Sequence, residues 1–155
     1  VTEAGADLNL RPGCPNLIDR IETGLLSHGN DMTLENNPIE SGLDRFFKMG
    51  KTADYLGRAA LERIAETGCP QKMVRLVVEG GPVRNPRETY PISVAGSDLD
   101  GCVTSITYSP RLECNVGMGF VPSDHAEVGT ELTIALPDGI VTGRIADKGW
   151  RTSED

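Results

Sequence analysis

The stretch that decides the fold covers residues 101–122 and reads GCVTSITYSPRLECNVGMGFVP. Its first part, up to Tyr108, is rich in β-branched and aromatic residues, which favour strands. Ser109 and Pro110 interrupt this run, and small and apolar residues resume after Asn115. The pattern therefore predicts a strand, a turn and a second strand.

Further strands are predicted on both sides of this hairpin. In residues 131–136, Leu132, Ile134 and Leu136 alternate with residues that point the other way. The tripeptide Pro137-Asp138-Gly139 follows, and it signals a hairpin because proline fixes φ and glycine adopts positive φ. Strands separated by turn signals indicate a compact antiparallel barrel or sandwich. The six predicted strands are 73–79, 91–95, 102–108, 116–121, 131–136 and 140–147.

Two helices are predicted ahead of the strands. The first covers residues 15–23, with Asn16 as a capping residue before an amphipathic run. The second covers residues 57–67, where apolar residues recur at helical spacing and Arg58 and Glu62 form an i,i+4 pair. A glycine and a proline follow it as a stop signal.

The region between the two helices is predicted to be mostly irregular. Residues 25–29 suggest a short extended segment that leads into a polar loop over 30–38. Leu43, Phe46 and Phe47 are expected to act as apolar anchors that pack on a neighbouring sheet.

Composition excludes several classes of partner. The 155 residues carry a net charge of −8, and 25% of them are charged. Nucleic acid and anionic membrane surfaces are therefore not expected as partners, because binding them requires a basic field. No run of apolar residues is long enough for a membrane span, and no signal peptide is recognisable, so we expect a soluble cytoplasmic protein. The start at Val1 looks like a cut from a longer chain.

The cysteines and the few other candidate ligands suggest no metal site. Cys14, Cys69, Cys102 and Cys114 form no CxxC pair, so buried reduced thiols are expected. A disulfide between Cys102 and Cys114 across the predicted hairpin is a second possibility that the sequence leaves open.

Two histidines and one acidic turn are interpreted as ordinary surface features. His28 and His125 are far apart in sequence, and His125 is predicted to be a solvated loop residue. Asp98 and Asp100 precede a glycine but lack the remaining ligands of a calcium loop, so an ordinary turn is expected.

Four motifs together resemble a known family. Residues 20–31 match R-x-E-x-G-x-x-x-x-G-x-D, residues 37–46 read NPIESGLDRF, and residues 53–61 read ADYLGRAAL. With residues 101–122, the set closely resembles the glycine-cleavage T-protein (aminomethyltransferase) superfamily of tetrahydrofolate enzymes. The resemblance covers nearly the whole chain. The nearest branches look like the dimethylsulfoniopropionate demethylases and the folate domains of dimethylglycine and sarcosine dehydrogenases.

The resemblance implies one cofactor-binding residue, Glu22. In the family the glutamate of the first motif reaches the pteridine ring of tetrahydrofolate. A pterin edge carries an amino group and a ring N–H side by side. A carboxylate can accept one hydrogen bond from each of them. Taken without the family, Glu22 has a second interpretation, in which it lies on the solvated face of a helix and pairs with neighbours such as Arg20 or Asp19.

The chain departs from the family pattern at one histidine and two lysines. His28 stands where the family often carries an aromatic residue, and Lys48 and Lys51 stand in place of an arginine-rich stretch. Lys51 is interpreted either as a contact for an anionic folate tail or, more simply, as a solvated lysine. These departures put aminomethyl transfer in particular in doubt.

The implied fold class is α+β, a partial folate-binding domain with helices followed by a C-terminal six-stranded antiparallel β-barrel. The expected boundaries are 1–50 for the remnant of the folate-binding domain, 51–71 for a connecting segment with a helix, 72–150 for the barrel and 151–155 for a frayed tail. No catalytic residue and no metal ligand is assigned, because the family's aspartate near folate N5 and N10 is expected upstream of Val1.

The implied function is that of the C-terminal part of a tetrahydrofolate-dependent one-carbon transferase. It would move a methyl or aminomethyl-derived carbon from a small-molecule donor to tetrahydrofolate, together with the N-terminal remainder of the same protein, and the isolated fragment is expected to be inactive. One alternative is a demethylase of the same superfamily, acting on dimethylsulfoniopropionate or another methyl donor. An alternative of another class is a non-catalytic barrel that serves as an interaction module.

Overall fold

Six antiparallel strands close into a barrel in the computed structural model, which describes residues 3–8, 16–47, 49–50, 54–83, 88–95 and 100–147. Around the barrel the strands follow in the order first, fourth, third, second, fifth and sixth in sequence. The sixth strand pairs with the first and closes the barrel. The α+β class with a six-stranded antiparallel barrel is confirmed, and the sandwich alternative is wrong. The elements are α1 (Leu17–Thr23), α2 (Arg58–Thr67), β1 (Gln71–Val78), β2 (Tyr90–Ser93), β3 (Gly101–Ser109), β4 (Cys114–Pro122), β5 (Glu131–Leu136) and β6 (Gly139–Ala146).

Two glycines allow β3 and β4 to pair closely. A Cβ on Gly119 would lie 2.3 Å from the carbonyl oxygen of Cys102, and a Cβ on Gly117 would lie 2.9 Å from that of Ser105. Real Cβ atoms essentially never approach backbone oxygen below about 3 Å, so a larger residue would push the strands apart. The GMG sequence of residues 117–119 is therefore a packing requirement of the hairpin.

A β-bulge interrupts the register of the same hairpin. Val103 pairs with Gly119, but Ser105 pairs with Met118, so Thr104 is the extra residue. In a regular strand, successive side chains point to opposite faces, and a bulge breaks this alternation. Both Thr104 and Ser105 can therefore hydrogen-bond one acceptor outside the barrel.

The hairpin of β5 and β6 forms as the sequence predicts. Leu136 pairs with Gly139, so Pro137 and Asp138 make up the loop, and Gly139 has a φ of 138°. Leu132 and Ile134 are buried while the alternate residues of β5 are exposed. The predicted alternation is confirmed.

Aliphatic side chains fill the barrel, and a smaller apolar cluster lies outside it. The outer cluster consists of Ile21 of α1 with Val116 and Met118 of β4. Through these contacts α1 packs against the outer face of the barrel. The inner core consists of Val74, Leu76, Val78, Ile92, Val94, Val103, Ile106, Val121, Leu132, Ile134 and Ile145.

Both predicted helices are present, but they pack differently. Helix α1 begins after Asn16, whose side chain accepts from the Asp19 amide, and it ends at Gly24 in the left-handed conformation. Helix α2 contains the predicted ion pair between Arg58 and Glu62, with Nε and Oε1 2.8 Å apart. None of its residues is buried.

One predicted apolar anchor is wrong. The side chain of Phe46 is 71% exposed, and its ring lies beneath the Arg45 guanidinium at 4.7 Å. Leu43 and Phe47 are half-buried. The segment contributes only part of its apolar surface to packing within the described chain.

The alternative of a disulfide between Cys102 and Cys114 is wrong. Cys102 is paired with Phe120 and Cys114 with Ser109, so the two thiols lie at opposite ends of the hairpin, roughly 20 Å apart at the usual rise per strand residue. Both thiols are free and half-buried, and so is that of Cys69. Burial raises the pKa of the Cys102 and Cys114 thiols.

Some sequence predictions concern residues outside the described ranges. They are the ones made for Val1, Cys14, Pro15, Lys48, Lys51, Asp98 and the 151–155 tail.

Candidate functional site

Glu22 lies buried where α1 meets the turn between β3 and β4. Ser109 donates its hydroxyl to Oε1 of Glu22 at 2.5 Å, and Arg111 donates from Nε to Oε2 at 3.1 Å. Nη2 of Arg111 is also 3.1 Å from Oε2. Glu22 is only 4% exposed, so the interpretation that placed it on a solvated helix face is wrong.

Local sequence explains why this glutamate faces the barrel. Ile21, the residue before it, is fully buried against β4 and fixes the rotation of the helix. Gly24 lets the end of α1 lie close to β1, because a Cβ at this position would collide with the Arg75 guanidinium. Nη2 of Arg75 also donates to the carbonyl of Thr23 at 2.9 Å, which suits the negative end of the helix.

The turn between β3 and β4 presents the partners of Glu22. The Ser109 hydroxyl accepts from the Leu112 amide at 3.0 Å while it donates to Glu22. Glu113 has a φ of 54°, the one left-handed residue other than glycine among the described residues. The turn therefore has a defined shape that carries Arg111 over the carboxylate.

Asp31 is a second buried carboxylate, and protein groups surround it. Arg20 forms an ion pair with Oδ2, and the amide of Ser27 donates to the same oxygen at 2.8 Å. Thr104 and Ser105, the bulge residues of β3, donate their hydroxyls to Oδ1 at 2.8 and 2.5 Å. Sequence reasoning missed Asp31, although it is the last residue of the motif over residues 20–31.

Two other motif residues, Glu40 and Asn115, form hydrogen bonds that connect separate segments of the chain. Glu40 accepts from the side chain of Asn36 at 2.8 Å and from the amide of Asn37, and its own carbonyl accepts from the Met73 amide at 2.7 Å. Asn115 accepts from the Val83 amide at 2.8 Å. These contacts join the N-terminal segment, the barrel and the loop after β1.

A groove of about 280 Å³ lies between the N-terminal segment and β1, on the side of Gly24. Leu43, Met73 and Val128 are among its apolar lining residues, and Arg45 and Arg75 are among its charged ones. The pKa of Arg75 is lowered, chiefly by burial and then by the positive charge of Arg45.

The site offers an anionic acceptor and little else. Within the described ranges, no group of three or more His, Cys, Asp or Glu side chains could hold a metal ion. His28 is exposed. His125 is half-buried and is the last residue of a short 3-10 helix, Ser123–His125, and so is not the fully solvated loop residue that the sequence predicted. Among the helices of the described chain, none is long and apolar enough to cross a membrane.

A buried carboxylate such as that of Glu22 can bind and orient a ligand that carries N–H donors.

Comparison with known proteins finds two kinds of enzyme, a demethylase and aminomethyltransferases. The chain is 42% identical over 148 residues to the dimethylsulfoniopropionate demethylase of Ruegeria pomeroyi, covering 96% of this chain and 40% of that protein. It is 34% identical over 148 residues to the aminomethyltransferase of Symbiobacterium thermophilum, covering 94% and 38%. The chain thus spans about two fifths of the length of these curated relatives.

A solved structure and a family model match the same fold. The aminomethyltransferase T of the glycine cleavage system from Bartonella henselae superposes with a TM-score of 0.73 at 25% identity, over 84% of this chain and 36% of that one. Residues 71–150 match the model of the glycine cleavage T-protein C-terminal barrel domain. The chain therefore belongs to the glycine cleavage T-protein family, and its barrel is the C-terminal barrel domain of that family.

Proposed function

We propose that this chain is the C-terminal part of a tetrahydrofolate-dependent one-carbon transferase. The enzyme moves a methyl or aminomethyl-derived carbon from a small donor to tetrahydrofolate. The observation that carries the proposal is the buried carboxylate of Glu22, which Ser109 and Arg111 hold at the junction of helix and barrel. Relatives that are aminomethyltransferases and a demethylase support it.

The chemistry of Glu22 fits a pteridine. A pterin edge carries an amino group and a ring N–H side by side, and a carboxylate can accept a hydrogen bond from each. The burial of Glu22 strengthens such a contact, because hydrogen bonds to a charged acceptor gain strength where water is largely excluded. In this proposal Glu22 binds and orients tetrahydrofolate, which supplies the acceptor nitrogen for the carbon.

The catalytic group of the proposed enzyme lies outside this chain. The described site holds an acceptor, Glu22, which Ser109 and Arg111 bind. The relatives are about two and a half times as long as the matched region. We propose that the N-terminal remainder supplies the other wall of the cleft and the groups that act on the donor. The 155 residues alone are then inactive.

A demethylase is the second candidate within the same family. The identity to the dimethylsulfoniopropionate demethylase is 42%, against 34% to the aminomethyltransferase matched over the same number of residues. This difference favours a methyl donor over an aminomethyl donor.

The proposal is tested by calorimetric titration of the complete protein with tetrahydrofolate, comparing wild type with Glu22→Gln. Glutamine keeps the shape of the side chain but removes the charge. We expect a loss of about 1.5 to 3 kcal/mol, the range for a hydrogen bond to a charged group, which is roughly 10- to 150-fold in Kd.

The matched control is Glu40→Gln, a second buried glutamate whose contacts on Oε1 a glutamine oxygen can keep. Its Kd should equal that of wild type, and thermal melting of all three proteins checks that they fold. If the intact wild type does not bind tetrahydrofolate, the enzyme proposal fails and the non-catalytic interaction module takes its place.

A further inference from the structure

We propose that helix α2 is a docking element, whose apolar face packs against the part of the complete protein that lies outside this chain. The inference rests on one part of the proposed function, that the chain belongs to a longer enzyme. It does not depend on how tetrahydrofolate binds. Its tests measure contact and stability, so their failure is distinguishable from a failure of the complete protein to bind tetrahydrofolate.

Helix α2 has two faces of opposite character. Residues three and four apart lie on the same side of a helix. Small and aliphatic side chains at this spacing form the apolar face, which consists of Ala60, Leu61, Ile64 and Ala65. Charged side chains four residues apart form the other side, which consists of Arg58, Glu62 and Glu66.

The described part of the chain does not cover the apolar face. Leu61 and Ile64 are only half-buried, and no residue of α2 is buried. The helix makes no extensive contact with another described helix or strand, whereas α1 packs on β3 and β4 and buries Ile21. A helix of 10 residues is marginal in water unless an amphipathic face packs against a partner, because helix nucleation is costly. The apolar face of α2 therefore requires a partner.

The chain just before α2 exposes further apolar side chains. Leu56, in the turn that leads into the helix, is fully exposed, and Phe46 and Met49 are 71% and 40% exposed. Single exposed apolar residues are common on protein surfaces. Several of them in a short stretch beside an unpacked amphipathic helix indicate an interface.

The remainder of the same polypeptide is the partner that fits this face. The chain covers only 40% and 38% of its curated relatives, so these proteins contain a large part that has no counterpart here. A partner on the same polypeptide has a high effective concentration, so a small apolar contact is enough to hold it. Contacts between the domains of one chain are typically of modest area.

The direct test places a photoreactive benzoylphenylalanine on α2 of the complete protein, at Leu61 on the apolar face or at Glu66 on the charged face. Irradiation is followed by digestion and mass spectrometry of the cross-linked peptides. We expect position 61 to cross-link to peptides from outside these 155 residues, and position 66 to give at least about tenfold less of this product, since it faces solvent.

A second test compares the melting temperatures of Ala60→Glu and Ala59→Glu in the complete protein. Both alanines are exposed in the described chain and lie in the first turn of α2, so the change in helix propensity is the same. Ala60 is on the apolar face, whereas Ala59 lies four residues before Arg63. We expect Ala60→Glu to lower the melting temperature by about 4 °C or more, because it buries a charge at the interface, and Ala59→Glu to change it by less than about 1 °C.

The inference is overturned if position 61 cross-links only within these 155 residues, or if the two glutamate variants melt at the same temperature. A cross-link between two molecules, seen as a band of doubled mass on a denaturing gel, would assign the face to a second copy and would also overturn it. If Ala60→Glu does not fold, the cross-linking experiment carries the test.

Discussion

The buried carboxylates of Glu22 and Asp31 have different surroundings, and these suggest different roles. Asp31 is bound by an arginine, a backbone amide and two hydroxyls, and its side chain has no exposed surface. Glu22 is bound by a hydroxyl and by a half-exposed arginine at a turn. We therefore expect Asp31 to contribute to stability and Glu22 to contribute to binding.

Replacement of Asp31 by asparagine should destabilise the protein. The substitution removes the charge that Arg20 faces in a buried setting, and breaking a buried pair in this way costs about 3 to 5 kcal/mol. Urea denaturation should show a lower midpoint with an unchanged slope.

The comparison variant for this prediction is Glu131→Gln. Its partner is Arg144, and the two side chains are 66% and 61% exposed, so its loss should cost less than about 1 kcal/mol. An Asp31→Asn midpoint equal to that of Glu131→Gln would contradict the structural role of Asp31.

At the scale of elements, the β3–β4 hairpin joins the fold to the candidate site. Its bulge presents Thr104 and Ser105 to Asp31, and its turn presents Ser109 and Arg111 to Glu22. The separation of these strands therefore controls both carboxylates.

We expect Gly119→Ala to destabilise the barrel by about 1 to 3 kcal/mol, the usual cost of forcing extra volume into a packed core. The added Cβ would lie 2.3 Å from a backbone oxygen, which cannot move without shifting a strand. Thermal melting measures the effect.

Gly81→Ala serves as the control for this substitution. No heavy atom lies within 4 Å of the Cβ it would gain, so its stability should stay within about 0.5 kcal/mol of wild type. Equal melting temperatures for the two variants would show that the hairpin tolerates a wider spacing.

At the scale of the whole molecule, the N-terminal segment is tied to the barrel at several separate points. Asp31 and Glu22 bind β3 and its turn, the carbonyl of Glu40 binds β1, and Arg75 binds the end of α1. The segment and the barrel thus present one surface, and the proposed cleft needs the remainder of the enzyme opposite it.

The complete protein should transfer a methyl group to tetrahydrofolate from dimethylsulfoniopropionate or a similar donor, and the 155-residue chain alone should not. Mass spectrometry of the folate product distinguishes methyltetrahydrofolate from the methylene form that an aminomethyl donor gives. A methylene product would reject the demethylase candidate and keep the transferase. Activity of the isolated chain would contradict the location of the catalytic group outside it.

Local sequence determined the elements of this protein. The alternation in β5, the Pro137-Asp138 loop and the cap at Asn16 follow from interactions within a few residues, and each was predicted. Resemblance over residues 20–31 singled out Glu22, and its role stays a prediction.

The tertiary structure alone decided how the candidate site is assembled. The partners of Glu22 and Asp31 on β3 and its turn lie between 73 and 89 residues away along the chain. Nothing in the spacing of residues shows that a bulge turns Thr104 and Ser105 to the same side, or that a left-handed Glu113 brings Arg111 over the acid. Local preferences select strands and helices, but only the closed barrel fixes which polar side chains meet, because burial requires each of them to find a partner.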